Sequence, residues 1–216
     1  MRLDHVSYAT SPGEFVDTVQ RFGSSLGAPL LDGGRHPRFG TRNFVLPLNS
    51  RTYVEVVTTL DHPATDASPF GRAVKARADQ GGGWLGWVIA VDDISDVEAR
   101  LGRESVEGHR VRPDGFDLRW RQLGVNGLLA DAQLPFFVQW ISDPDEHPSA
   151  QARAELSIAA IEMVGNPQVV SDWIGQDAGQ PLEGVDVTWV TDDSGEREAG
   201  IASVTFATAH GAVLID

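Results

Sequence analysis

One order of elements, strand–helix–strand–strand–strand, is read three times along the chain, in the first copy with Gly-rich turns directly after the helix, and that recurrence limits its fold more than any other feature. In the first copy, residues 3–9 read as a short strand. Residues 13–26 read as a helix, because Phe15, Val16, Val19, Phe22 and Leu26 share helix-face spacing. Gly27 ends that helix, Gly-rich turns follow, and strands at 43–48 and 52–58 flank a turn at 49–51. In the second copy, residues 84–91 are a strand and 95–101 a helix, with Ser95 and Glu98 at capping-box spacing. Residues 110–112, 118–123 and 136–142 complete it as strands. The third copy is smaller: strands at 156–163, 185–190, 201–207 and 212–215, with a helix at 167–174. The predicted organisation is a module at 1–60, a linker with a short helix at 61–83, a second module at 84–148 and a degenerate third at 149–216. The copies share element order rather than side chains.

Composition narrows the function classes. The 216 residues suffice for one large or two small domains. With 17 Lys+Arg against 31 Asp+Glu and a net charge of −14, the chain lacks the basic surface that nucleic acid requires. It has no Cys, which excludes disulfide scaffolds, thiolate metal sites and cysteine nucleophiles. No apolar run reaches the roughly 18 residues of a membrane span, and the first residues enter a strand pattern without an apolar leader core. The expectation is a cytoplasmic protein with a small-molecule ligand and neither nucleic acid nor membrane as partner. Two complete modules can close a cleft within one chain, so a monomer suffices; a homodimer is the other expectation.

Several motifs resemble the glyoxalase-like domain, a branch of the vicinal oxygen chelate superfamily. They are Leu3-Asp4-His5-Val6, the run from Gly33 to Asn43, Tyr53-Val54-Glu55-Val56, Arg112-Pro113-Asp114-Gly115 with Leu118-Arg119-Trp120, and the run Pro135 to Trp140 followed by His147-Pro148. The resemblance covers roughly the first 150 residues. It implies an α+β fold in which tandem βαβββ modules form an open, barrel-like cleft, with a third, smaller C-terminal βαβββ-like module. It also implies a chemistry: a divalent metal (Fe, Mn, Ni, Co or Zn) chelating vicinal oxygens and stabilising an enolate, as in the lyases, isomerases and oxygenases of the superfamily. The superfamily also holds metal-free proteins that bind or sequester small molecules.

Under that resemblance His5 and Glu55 form the sharpest pair, since adjacent strands at 3–9 and 52–58 can project them from one face. Imidazole and carboxylate suit a first-row divalent metal, and Glu55 is a charge inside an otherwise apolar strand. The alternative is a solvent-facing Glu55 and a packed His5. Aligning the modules sets Gly86 opposite His5 and Gln139 opposite Glu55, so the expected ligands are His5, Glu55 and Gln139. His36, in a glycine-rich turn, joins Glu55 as candidate acid–base group; its alternative is a structural role in the loop. Arg35 and Arg119 are candidates for a substrate acid group, and Trp120 and Trp140 for the cleft walls, although tryptophan on a strand is often plain core.

Overall fold

The computed structural model of the chain describes residues 1–152, 155–190 and 197–216. The first unit runs β1 (Arg2–Ala9), α1 (Phe15–Leu26), β2 (Leu31–His36), β3 (Thr41–Leu48) and β4 (Thr52–Thr59). Two helices, α2 (Ala64–Ala67) and α3 (Pro69–Asp79), lead to the second unit. That unit comprises β5 (Gly83–Ala90), α4 (Ser95–Leu101), β6 (Val106–Val111), β7 (Asp117–Leu123) and β8 (Phe136–Trp140). In each unit the last strand returns parallel to the first with the same register: His5 lies opposite Tyr53, and Val88 opposite Phe136. β1 and β5 then pair antiparallel, fusing the units into one eight-stranded sheet of order β2-β3-β4-β1-β5-β8-β7-β6. The fold is α+β with tandem βαβββ units, mirrored about the β1/β5 seam.

Alternation along β4 shows how this sheet sorts its residues. Val54 and Val56 join an outer core with Phe15, Phe22 and Leu26 of α1. Val57 joins an inner cluster with Phe70 and Val74 of α3 and with Val88, Phe136 and Val138. The seam strand β5 is buried along its whole length, as strands covered on both faces are. Fully buried Phe22, Phe137 and Ile89 each contribute roughly 1.5–3 kcal/mol of hydrophobic stabilisation. The sheet curls until its two edges approach, and Arg110 of β6 donates across them to the Gly33 carbonyl of β2 at 2.8 Å.

Two local expectations change. Residues 31–36, read as turns, form β2 antiparallel to β3, with a register shift between Asp32 and Gly34. Gly34 sits there at φ +93°, a conformation costly for any residue with a Cβ. The capping box at α4 does not form. The Glu98 carboxylate instead accepts from the Ser105 backbone N–H at 2.8 Å and its hydroxyl at 2.7 Å, while Asp93 accepts the Ser95 N–H at 2.9 Å.

The C-terminal unit keeps the element order but not the connectivity. β9 (Ser157–Val164), α5 (Pro167–Ile174), β10 (Asp186–Val190), β11 (Gly200–Thr208) and β12 (Gly211–Ile215) make a separate sheet of order β10-β9-β11-β12. Here the second strand, not the last, lies parallel to the first. Ile161, Met163, Val204 and Phe206 extend the outer core, and Trp84 of β5 donates its indole N–H to the Ile215 carbonyl at 3.0 Å. The small sheet therefore backs the convex side, opposite the cleft. No helix among the described residues is long and apolar enough to cross a membrane.

Candidate functional site

The concave face of the eight-stranded sheet holds a cleft of about 580 Å³, counting its mouth to solvent. Phe39, Phe70, Trp120, Phe136 and Trp140 supply its aromatic walls, and His5, His36, Tyr53, Glu55 and Arg110 its polar groups. β4 contributes Tyr53 and Glu55 because strand alternation turns every second residue to this face. On β8 the same alternation brings Phe136, Val138 and Trp140 inward.

β1 breaks the alternation. Leu3 pairs with Ile89 and His5 with Val88, neighbours on β5, so Asp4 is an extra residue in the ladder. Such a bulge re-aims side chains, and here it lets consecutive residues meet: His5 Nδ1 lies 2.6 Å from an Asp4 oxygen. The other Asp4 oxygen faces Trp140 Nε1 at 2.8 Å and His147 Nε2 at 3.2 Å. Burial alone would push the Asp4 carboxyl up. Its hydrogen bonds to His147 and His5, and the electrostatic pull of those rings, hold it far below the usual carboxylate range. An ionised carboxylate only accepts, so His5 carries its proton on Nδ1 and leaves Nε2 as the free acceptor. His147 is fixed in the opposite tautomer, because its Nδ1 accepts the Ser149 backbone N–H at 3.2 Å. The His5 ring stacks on Tyr53 with centroids 4.4 Å apart.

A second network runs along the other wall. Glu55 accepts from the Ser7 hydroxyl at 2.7 Å and from Asn43 Nδ2 at 2.5 Å. Burial raises its pKa, but electrostatic interaction with the His5 and His36 rings and these two hydrogen bonds outweigh that and draw it below the usual carboxylate value. Asn43 Oδ1 accepts from Arg110 Nη1 at 3.2 Å. The same nitrogen lies 3.4 Å from His36 Nε2; since arginine only donates, His36 is neutral with its proton on Nδ1, toward Thr41 Oγ1 at 3.3 Å. Burial, helped by the Arg110 charge, lowers the His36 pKa to about 4. Gly33 makes the junction sterically feasible, since a Cβ there would stand 2.0 Å from Asn43 Oδ1 and 2.8 Å from Arg110 Nη1. Burial also raises the Tyr53 pKa, so its phenol stays protonated.

Of the residues singled out in the sequence, the cleft brings together His5, His36, Glu55, Trp120 and Trp140. Gln139 is elsewhere: it faces away, donating to the Asp92 carbonyl at 2.8 Å and accepting the Ile94 N–H at 3.3 Å. The alignment that set it opposite Glu55 was one residue out of phase, and one residue reverses the face of a strand. Arg35 is exposed, and exposed Arg119 pairs with Asp117 at 2.8 Å; neither lines the cleft. His36 does, but both of its ring nitrogens face protein partners. Asp4, Asn43, Tyr53, Arg110 and His147 also belong to the site although the sequence does not mark them as candidates; the charged residue beside His5 in the first strand is a usable signal.

The implied divalent metal does not fit this donor set. The second unit offers Val88 and Val138 at the positions matching His5 and Glu55, both Glu55 oxygens already accept hydrogen bonds, and the cleft carries a guanidinium. Among the described residues no group of three or more His, Asp or Glu side chains could hold a metal ion. Of the described imidazoles lining the cleft, His36 has both ring nitrogens facing protein partners, which leaves His5 Nε2 as the one without such a partner.

A family model described as Glyoxalase-like domain matches residues 3–176. Among solved structures, a hypothetical protein from Staphylococcus aureus is 16% identical over 97% of this chain and 92% of its own, with a TM-score of 0.69. That likeness is one of fold. A methylmalonyl-CoA epimerase from Mycobacterium tuberculosis is 15% identical over 64% of this chain and 86% of its own, with a TM-score of 0.41. No curated protein matches the chain.

Proposed function

The chain belongs to the glyoxalase-like domain family, and from that premise we propose that its cleft binds a small organic molecule and exchanges a proton with it through His5, without a bound metal. The observation that carries this reading is the Asp4–His5 pair: a buried, ionised carboxylate fixes the imidazole tautomer and leaves one basic nitrogen toward an aromatic-walled cavity. Asp4 acts as a positioning residue, with His147 and Trp140 holding its second oxygen. The aromatic walls suit a flat ligand body. The reaction class is proton transfer at a carbon next to a carbonyl, of the isomerase or lyase kind.

The test uses protein treated with EDTA and a ligand-observed NMR screen of small carbonyl compounds in D2O. Wild-type protein is expected to exchange the acidic C–H of a bound hit for deuterium, and His5→Gln to slow that exchange by about 100-fold or more. Undiminished exchange in His5→Gln, or exchange that appears only on adding one equivalent of a divalent metal, would overturn the reading. Binding without exchange favours the second reading, a sequestering protein. For that reading the supporting observation is the apolar wall that Trp120, Val125, Phe136, Val138 and Trp140 of the second unit supply.

A further inference from the structure

The cleft contains a buried cation that the fold leaves half-served. Arg110 is 7% exposed, and its Nη1 alone meets three acceptors: the Gly33 carbonyl, Asn43 Oδ1 and His36 Nε2. A guanidinium has five N–H donors in a planar fork. Nε and Nη2 of Arg110 make no hydrogen bond to any described residue, and neither atom is sealed from the cavities it borders. Nor does any carboxylate oxygen of the described residues come within 4.0 Å of it; the remaining arginine pairs all lie elsewhere. Glu55 is linked to it only through Asn43, with both oxygens already taken.

Burying a guanidinium without an anion in contact is costly. Burial here even draws the pKa of the arginine downward. A chain that merely needed to join β6 to β2 could do so with a neutral side chain. The Tyr53 phenol, which also makes no hydrogen bond to the described residues, lines the same cavity and adds a neutral donor.

Resting on the reading of the cleft as a ligand site, we propose that its ligand bears a carboxylate, received by the free edge of the Arg110 guanidinium with the Tyr53 hydroxyl as a second donor. The planar fork matches a carboxylate bidentately, and the aromatic walls take the body attached to it. Arg110 thereby does the work that the sequence suggested for Arg35 or Arg119.

The test compares matched acids and amides on the intact, EDTA-treated chain: benzoate with benzamide, and phenylacetate with phenylacetamide. The indole N–H signals of Trp120 and Trp140, both in the cleft, report occupancy by NMR. The acids are expected to bind at least about tenfold more tightly than the amides, consistent with the strength of charge-assisted pairs. Arg110→Gln should abolish that preference, and Arg110→Lys should retain part of it. Equal binding of acid and amide by the wild-type chain would overturn the carboxylate assignment while leaving the cleft reading intact. Silence of both indoles toward every probe would overturn the cleft reading and this proposal with it. The wild-type comparison decides the matter even if the variants fail to fold.

Discussion

Replacing Asp4 by Asn is expected to destabilise the folded chain by about 3 kcal/mol, the scale for breaking a buried charged network. Three ring N–H groups converge on this carboxylate, from His5, Trp140 and His147. An amide presents one acceptor oxygen and an NH2, so it can serve Trp140 and His147 only by turning its NH2 to His5, which loses the carboxylate charge and the His5 tautomer that it fixes. For a chain of this length that loss lowers the thermal midpoint by roughly 6–12 °C. Trp140→Phe, which removes a single donor, should cost about 1–2 kcal/mol. Urea denaturation at neutral pH measures both. A stability of Asp4→Asn within about 0.5 kcal/mol of the parent would mean that the carboxylate is not the hub described here.

Acid is expected to weaken the fold well before its carboxylates titrate. His36 has a folded pKa of about 4 against an ordinary value of 6.5, so between those values the unfolded chain binds more protons than the folded one. Stability then rises with pH across that window and falls as pH drops through it. The expected loss from this one group is about 2 kcal/mol between pH 7 and pH 5 and about 3 kcal/mol by pH 4. Glu55 and Asp4, both depressed in the folded state, add losses of the same sign below their unfolded values. His36→Gln can accept from Arg110 and donate to Thr41 without titrating, so between pH 7 and pH 5 its stability should fall by about 2 kcal/mol less than that of the parent. Denaturation midpoints of the two proteins at several pH values separate the contributions. Parallel curves would remove His36 from the acid response.

The elements that depend on local pattern were legible from residues alone. The helix ending at Gly27 is one: Gly27 has φ +68° and its N–H reaches the Gly23 carbonyl, the usual left-handed termination. Alternation on β4 was enough to turn Glu55 to one face and Val54 and Val56 to the other. Alternation also failed where it was trusted without a register, at Gln139. Asp4 is hidden from the pattern for the same reason, since an unbroken strand would send it to the face opposite His5. β2 was missed because three of its six residues, Asp32, Gly33 and Gly34, are turn formers; pairing with β3 overrides that preference, and the glycines serve the close approach of Arg110.

What the sequence determined by itself was therefore local and periodic: the strands and helices of two like units, the face carrying His5 and Glu55, and the absence of thiol chemistry. Tertiary structure decided the rest. A bulge opposite β5 joined Asp4 to His5, closure of the sheet brought Arg110 of β6 against Gly33 and Asn43, and pairing made the third unit a different sheet despite its familiar element order. The physical reason is that hydrophobic periodicity specifies which face of an element is buried, whereas register and edge-to-edge contacts depend on partners far away in the chain. A site assembled from residues 4, 5, 43, 55 and 110 exists only once those partners have met.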